Sequence, residues 1–564
     1  MDDRNNTILF WGCFIALITT AFGFIGRMFL IGTWAGEFDL NPAEAGRLAG
    51  VGIWPFAVSI IGFSLFIDKI GYKVSMIFAF AGHIIWAIMG FIAWQIGAAE
   101  GATEADKATA YSLVYWGSLI LALGNGTVEA FINPVVATMF SKDKVKWLNI
   151  LHAGWPGGLV LAGVITIFMG DLAWGYKVGL IAGPAICYLF MLLPCKFPES
   201  ERVTSGVSYK EMLSEFGVLG AAVVGFLVTL QLMDFFSAGS TVELTPTQTN
   251  SFIAVGIAIV VAFGLYTRSL GRPLMFVLIL IMMPLATTEI GTDGWITGIM
   301  EKVVSFHAGW VLVYTSLIMA VLRFFAGPIS HKLSALGLLA LSSLLAIVGL
   351  LWLGSAEGAF IVFAAATIYA FGKTFFWPTM LGVVSEQMPK GGALTLNAIS
   401  GIGMLAVGTL GFPYIGALQA EKAIEAVVAT EAAQAAGLVK DGELVALTDK
   451  NIYTIIKYKD IDNAKVAEMV KDEAAVAEIA DARGKSAQGA LGNMVVFPAI
   501  MLIAYLLLMS HFKKGGGYQA IELGGGDDAG GGDDAGGGDD AGGGDDVADA
   551  DSGGDEEADP PATS

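Results

Sequence analysis

Glu129 lies in Gly124-Asn125-Gly126-Thr127-Val128-Glu129-Ala130-Phe131-Ile132-Asn133-Pro134, inside an otherwise apolar stretch from about Tyr111 to Phe140. A carboxylate at the centre of a bilayer costs roughly 2.5–3.5 kcal/mol or more, so it is kept for a task. The tasks open to it are binding a polar solute, carrying a proton, or cancelling another buried charge. Arg27, in Gly23-Phe24-Ile25-Gly26-Arg27-Met28-Phe29, offers two complementary readings. Its guanidinium either grips an anionic group bidentately or neutralises Glu129, and a switchable pair would combine the two. Glu289 and Asp293 are four residues apart and share one helix face. Asp293 falls near the end of its segment and is expected to be solvated, which leaves Glu289 as the cavity-lining or coupling carboxylate. Lys373 sits mid-segment, where it could pair with Glu289 or bind substrate. Trp377-Pro378 follows it and implies a broken, aromatic-lined helix. The candidate binding and coupling set is therefore Arg27, Glu129, Asn133, Glu289, Lys373 and Trp377. His152 and His307 each open a His-Ala-Gly-Trp sequence and read as hydrogen-bonded helix ends.

These side chains need a scaffold that a bilayer tolerates. The chain has 564 residues, 55% hydrophobic and only 15% charged, with mean hydropathy +0.68. A soluble chain would carry nearer a quarter charged residues. The apolar residues come in blocks of about 20, the length that crosses a hydrocarbon core as a helix. Backbone groups cannot go unpaired in lipid, and the period-2 alternation of a membrane barrel is absent. The chain is therefore predicted to be an all-α membrane protein with about fourteen spans: 8–36, 45–66, 74–97, 111–139, 149–170, 176–195, 216–236, 250–268, 273–299, 308–330, 335–354, 359–386, 394–418 and 491–512. Twelve spans result if 216–236 and 250–268 lie on the surface.

Charge supports that count. With both termini cytoplasmic, 15 of the 31 Lys and Arg fall on the inner side and 4 in short outer loops, the bias of inserted helices. The net charge of −20 is mostly local: 15 acidic residues and no Lys or Arg follow Gly515, leaving −5 elsewhere. Acidity of that kind implies neither nucleic acid nor an acidic substrate. Cys13, Cys187 and Cys195 lack disulfide or metal spacing. Gly372-Lys373-Thr374 lacks the earlier glycine of a P-loop, so nothing supports ATP-driven pumping. No nucleophile–base arrangement marks an enzyme, and no cofactor or metal is implied.

The loop Ser64-Leu65-Phe66-Ile67-Asp68-Lys69-Ile70-Gly71-Tyr72-Lys73 is a compact charged clasp. It resembles the signature loop between helices 2 and 3 of the major facilitator superfamily, with Asp68, Lys69, Gly71 and Lys73 in matching places. Arg323 to Lys332 looks like its weaker second-half copy, with His331 where an acid would stand. The fourth-span motif around Glu129, followed by Asn149-Ile150-Leu151-His152-Ala153-Gly154, resembles the fucose/proton symporter branch. That resemblance implies two six-helix bundles rocking about a midplane site, with Glu129 in proton coupling and substrate recognition. It implies gating by Asp68, Lys69, Gly71, Lys73 and Arg323. Arg27 stands where that branch carries a second acid.

The expected organisation is a bundle at 1–200, a linker with two further helices at 201–272, and a second bundle at 273–512. An extracytoplasmic Ala-rich insertion of helical propensity occupies 419–490. Residues 513–564 form a tail with four Gly-Gly-Gly-Asp-Asp repeats, expected to be disordered. The expected task is cation-coupled uptake of a small polar solute by a monomer in the cell membrane. The cation is a proton, or sodium. The solute is a sugar by resemblance, or a carboxylate by Arg27. The competing expectation is a non-transporting membrane sensor. Cutting the chain after Lys514 is expected to be harmless.

Overall fold

The computed structural model describes residues 3–40, 48, 50–237, 244–453 and 456–523. The tail repeats lie outside the described residues. The helical units are α1 (Asp3–Met28), α2 (Trp54–Ile70), α3 (Tyr72–Gly97), α4 (Glu104–Met139), α5 (Lys144–Phe168), α6 (Trp174–Leu192) and α7 (Tyr209–Phe236). They continue with α8 (Pro246–Thr267), α9 (Pro273–Met300), α10 (Gly309–Phe324), α11 (Ala335–Leu353), α12 (Ala359–Gln387), α13 (Pro389–Val428) and α14 (Val496–Lys514). Among the described residues twelve helices are long and apolar enough to cross a membrane. The 17-residue α2 and the 16-residue α10 are the shorter two, so fourteen segments match the fourteen expected spans.

In the first half, α1 packs on α5 and α6, and α4 lies between α2 and α3. Glycine permits the closest of these approaches. A Cβ at Gly126 of α4 would stand 2.1 Å from the Phe56 carbonyl oxygen of α2, and one at Gly158 of α5 2.8 Å from the Ile18 carbonyl oxygen of α1. In the second half α9 packs on α13 and α14, and α11 packs on α12 and α14. The halves meet where α2 lies along α13 and α5 along α10 and α12. The additional pair has a simple placement. α7 packs against α9 and α13, whereas the most apolar window of α8 has no buried residue and rests on α7 alone at any length. An apolar helix exposed on nearly every side is stable only in lipid.

The insertion is not wholly helical. After α13 come two antiparallel hairpins, β1 (Val439–Lys440) with β2 (Glu443–Leu444), and β3 (Leu447–Ile452) with β4 (Ile456–Ile461). Asp441 and Gly442 both have positive φ, 54° and 82°, as a two-residue hairpin turn requires. In β4 the alternation Ile456-Lys457-Tyr458-Lys459-Asp460-Ile461 fits a half-buried strand, and this local pattern overrides the Ala-rich composition. Helices Asn463–Met469 and Glu473–Ser486 complete the unit, which has a small core of its own including Leu438, Leu444 and Ile479.

Candidate functional site

Three prolines build the centre of the molecule. A proline has no N–H, so the carbonyl four residues earlier loses its helical donor. Pro134 in α4 frees Ala130, Pro156 in α5 frees His152, and Pro378 in α12 frees Thr374. Each carbonyl is taken by a side chain of the second half. Asn397 Nδ2 donates to Ala130 O at 2.8 Å. Arg323 donates through Nη1 to His152 O and through Nε to Thr374 O, both at 2.7 Å. An unpaired buried carbonyl costs about 1–3 kcal/mol, so these bonds satisfy groups that the helices cannot.

Breaking α12 at Thr374 and Phe375 creates a second helix start at Phe376. Its early N–H groups have no helical acceptor, and the Trp377 N–H donates to Glu289 Oε2 at 3.1 Å. Glu289 sits in a π-helical turn, Thr287–Gly291, which packs against a second one in α13, Val407–Gly411. A Cβ on Gly411 would come within 2.7 Å of Thr287 Oγ1, so only glycine lets these turns touch. Arg323 Nη2 completes the arrangement by donating to Glu289 Oε1 at 2.8 Å. One turn along α9, Asp293 pairs with Lys373, whose ammonium also lies 5.3 Å over the Tyr369 ring.

On the first-half side, Asn133 Nδ2 donates to Glu129 Oε2 at 2.7 Å. Asn133 Oδ1 is 3.0 Å from His152 Nε2, which is 4.0 Å from the Glu129 carboxylate. These groups meet on a small cavity between the halves, about 40 Å³ in volume. Arg27, Asn125, Glu129, His152, Glu289 and Arg323 are its polar lining. Phe24, Phe56, Trp155 and Trp377 are its aromatic walls.

Expectations for five residues change. Arg27 forms no ion pair with Glu129 within 4 Å; it donates to Ser118 Oγ at 3.2 Å and to Leu48 O at 2.5 Å. It lies across Gly52, where a Cβ would stand 1.6 Å from Nη1, and this packing holds it to its own wall. Lys373 pairs with Asp293 instead of Glu289, because Arg323 already occupies Glu289. Asp293 is 4% exposed, not solvated, since it needs the same shelter as its lysine. Arg323 belongs to no surface loop: it is 1% exposed and held by its three acceptors between the halves. Neither Asn133 nor Lys373 lines the cavity; both hold residues that do or that stand behind them.

The remaining clasp residues sit at one face. Asp68 accepts from Arg202 Nε and Nη2 at 3.1 and 2.5 Å. Gly71 turns the chain at φ 84°, Lys69 lies 5.2 Å over the Tyr209 ring, and Lys73 donates to Leu193 O at 2.8 Å. Lys144 pairs with Glu201 at 2.7 Å and reaches Ser385 O of the second half at 3.4 Å. His152, Asn125, Asn397 and Asp293 were not singled out as site residues from sequence. The readable signal for one of them was proline: each proline marks a free carbonyl four residues back, and Pro156 marks that of His152.

Comparison with known proteins agrees with this architecture. No curated protein sequence matches the chain. The proton:xylose symporter XylE bound to 6-bromo-6-deoxy-D-glucose is similar with TM-score 0.53 and 15% identity, covering 90% of this chain and 96% of that one. The human organic anion transporter MFSD10 gives TM-score 0.50 and 12% identity, covering 89% and 100%. The E. coli fucose:proton symporter FucP gives 0.48 and 14%, covering 86% and 98%. At these identities the likeness is one of fold. The family model of the Major Facilitator Superfamily matches residues 13–411. With its apolar helices and its cavity between two helical halves, this chain belongs to the major facilitator superfamily and is a multi-pass membrane transporter, not an enzyme.

Proposed function

We propose that the chain moves a small polar solute, a sugar or a sugar acid, together with a proton by alternating access. One observation carries the coupling: two buried carboxylates share the cavity, and only one has a fixed counter-charge. Glu289 is matched by Arg323 at 2.8 Å. Glu129, 5% exposed, has no Lys or Arg within 4 Å among the described residues; Asn133 and His152 are its polar neighbours. A carboxylate of this kind is suited to bind a proton from one side and release it to the other. His152, through its shared bond to Asn133, lies on the same path.

The lining supports the solute class. Flat aromatic faces beside a few convergent polar groups suit a sugar-sized ring bearing hydroxyls. Structural neighbours include proteins described as a xylose symporter and an organic anion transporter, which fits a sugar or a sugar acid. The Asp68–Arg202 clasp and the Lys144 bond to Ser385 close one face, and access to that face requires them to part. The halves 1–200 and 273–512 are the bodies that rock, with the clasp and both termini on the cytoplasmic side.

The test is proteoliposome uptake of fucose, xylose and glucuronate under an imposed pH gradient, with a sodium gradient as control. Glu129→Gln should abolish uphill accumulation and spare solute counterflow. Unchanged accumulation in Glu129→Gln, or accumulation driven by sodium alone, refutes the proton assignment.

A further inference from the structure

Behind the cavity wall a second polar chain runs into the first-half core. Asn125, 6% exposed, lines the cavity. Its Oδ1 is 2.9 Å from His83 Nε2, and His83 Nδ1 is 3.1 Å from the Tyr188 hydroxyl. His83 and Tyr188 both have 0% exposure. The Glu129 reading makes no use of this chain.

The direction of its hydrogen bonds follows from its closed end. Among the described residues the Tyr188 hydroxyl has no hydrogen-bond partner except His83. A fully buried O–H must donate or leave its hydrogen unsatisfied. Tyr188 therefore donates to Nδ1, which must be the unprotonated nitrogen of a neutral ring. Nε2 then carries the hydrogen and donates to Asn125 Oδ1. The amide of Asn125 is thereby fixed with its oxygen toward the core and its NH₂ toward the cavity. That NH₂ has no partner among the described residues, and Gly23 keeps it uncovered, since a Cβ there would stand 3.3 Å from Nδ2.

We propose that His83 is a positioning residue for solute recognition: with Tyr188 it locks Asn125 as a hydrogen-bond donor to an acceptor oxygen of the solute. The cavity thus reads a hydroxyl, carbonyl or carboxylate oxygen at this point and disfavours an ammonium or amide N–H there. The assignment rests on the cavity being the solute site, as proposed above. His83 and Tyr188 never touch the solute; they act by excluding the flipped amide. A flip would turn the Asn125 oxygen into the cavity and invert the preference.

Two measurements separate this idea from the transport reading. The first needs no solute: two-bond ¹H–¹⁵N correlation of the histidine rings in the full-length protein, with His83→Gln to assign the signal. A neutral ring protonated on Nε2 is expected, whereas protonation on Nδ1, or on both nitrogens, overturns the proposal. The second is binding of fucose, xylose and glucuronate to the wild type, Tyr188→Phe, His83→Gln and His83→Leu. Whichever probe binds should lose about tenfold in affinity in Tyr188→Phe, with turnover nearly unchanged. His83→Gln, whose amide can still donate to Asn125, should retain more affinity than His83→Leu. Equal affinities in all variants overturn the positioning role. If no probe binds the wild type, the solute-site reading fails for these compounds, and the ring tautomer still decides the orientation of Asn125.

Discussion

Arg323→Met is the sharpest perturbation of the second-half network. Arg323 makes three bonds, to Glu289, His152 O and Thr374 O, all between 2.7 and 2.8 Å. Removing one member of a buried ion pair costs about 3–5 kcal/mol, because the surviving charge stays unpaired. Two proline-freed carbonyls also lose their donor, at about 1–3 kcal/mol each, although the cavity can relax around them. A loss on the order of 5 kcal/mol is therefore expected for the single change. Glu289→Gln alone leaves Arg323 uncompensated and should cost about 3 kcal/mol. In the double variant Arg323→Met with Glu289→Gln no buried charge is orphaned. Only the two carbonyls remain unmatched, while the new amide still accepts from Trp377 N–H. The double variant should be more stable than Arg323→Met, with a coupling of roughly 2–3 kcal/mol. The assay is reversible unfolding of the purified protein in mixed micelles, read for the wild type and all three variants. Additivity within about 0.5 kcal/mol would mean that the two residues do not act as a pair, and would refute the reasoning.

Four further outcomes are expected. Pro378→Ala restores an N–H for Thr374 O, which competes with Arg323; solute flux should fall while unfolding midpoints change little, and normal flux would argue against the proline-built site. Gly52→Ala places a Cβ on the Arg27 guanidinium and should cost about 1–3 kcal/mol by overpacking, measurable by the same unfolding assay. Truncation after Leu523 should be harmless, but truncation after Lys514 should not, since it removes Tyr518 from Glu386 and Gln519 O from Gln387; equal thermal stability of the two truncations would refute this correction of the sequence expectation. At the start of α4, the Thr103 hydroxyl accepts from Asp106 N–H at 3.2 Å while Asp106 Oδ2 accepts from Thr103 N–H at 2.9 Å, a reciprocal cap. Thr103→Ala removes this cap and should cost about 1 kcal/mol in the same unfolding assay, and an unchanged midpoint would argue against the cap.

The aqueous ends of the molecule show why one truncation site differs from another. Residues after α14 return to the end of α12, where Ile521 N–H donates to Glu386 O at 2.9 Å and Arg272 donates to Gln387 O at 2.9 Å. Lys144 from the first half reaches Ser385 beside them. Three neighbouring residues of α12 thus join the first half, the linker and the C-terminal segment at the closed face. A short Gly-rich segment without hydrophobic periodicity gave no sign of this docking.

Much of the architecture was legible without coordinates, because a bilayer constrains sequence severely. Blocks of about 20 apolar residues must be helices, and the charge bias supports a count of fourteen, with twelve as the alternative. The cost of a charge in lipid singled out Arg27, Glu129, Glu289 and Lys373 as residues with a task. Pro378 announced a broken helix, whereas the carbonyls freed by Pro134, Pro156 and Pro378 were legible but went unread. Sequence did not decide which charge meets which. Lys373 finds Asp293 across 80 residues, Arg323 finds Glu289 across 34, and Asn133 approaches Asn397 across 264. Such pairings depend on helix rotation, on two π-helical turns and on glycine contacts as close as that of Gly411 with Thr287. One of the two readings of Arg27 paired it with Glu129 because both are charged and central, but a long side chain folded over Gly52 is held to its own wall. Local chemistry therefore chose the candidates, while packing over long sequence separations chose their partners, and through them left Glu129 as the cavity acid without a fixed counter-charge.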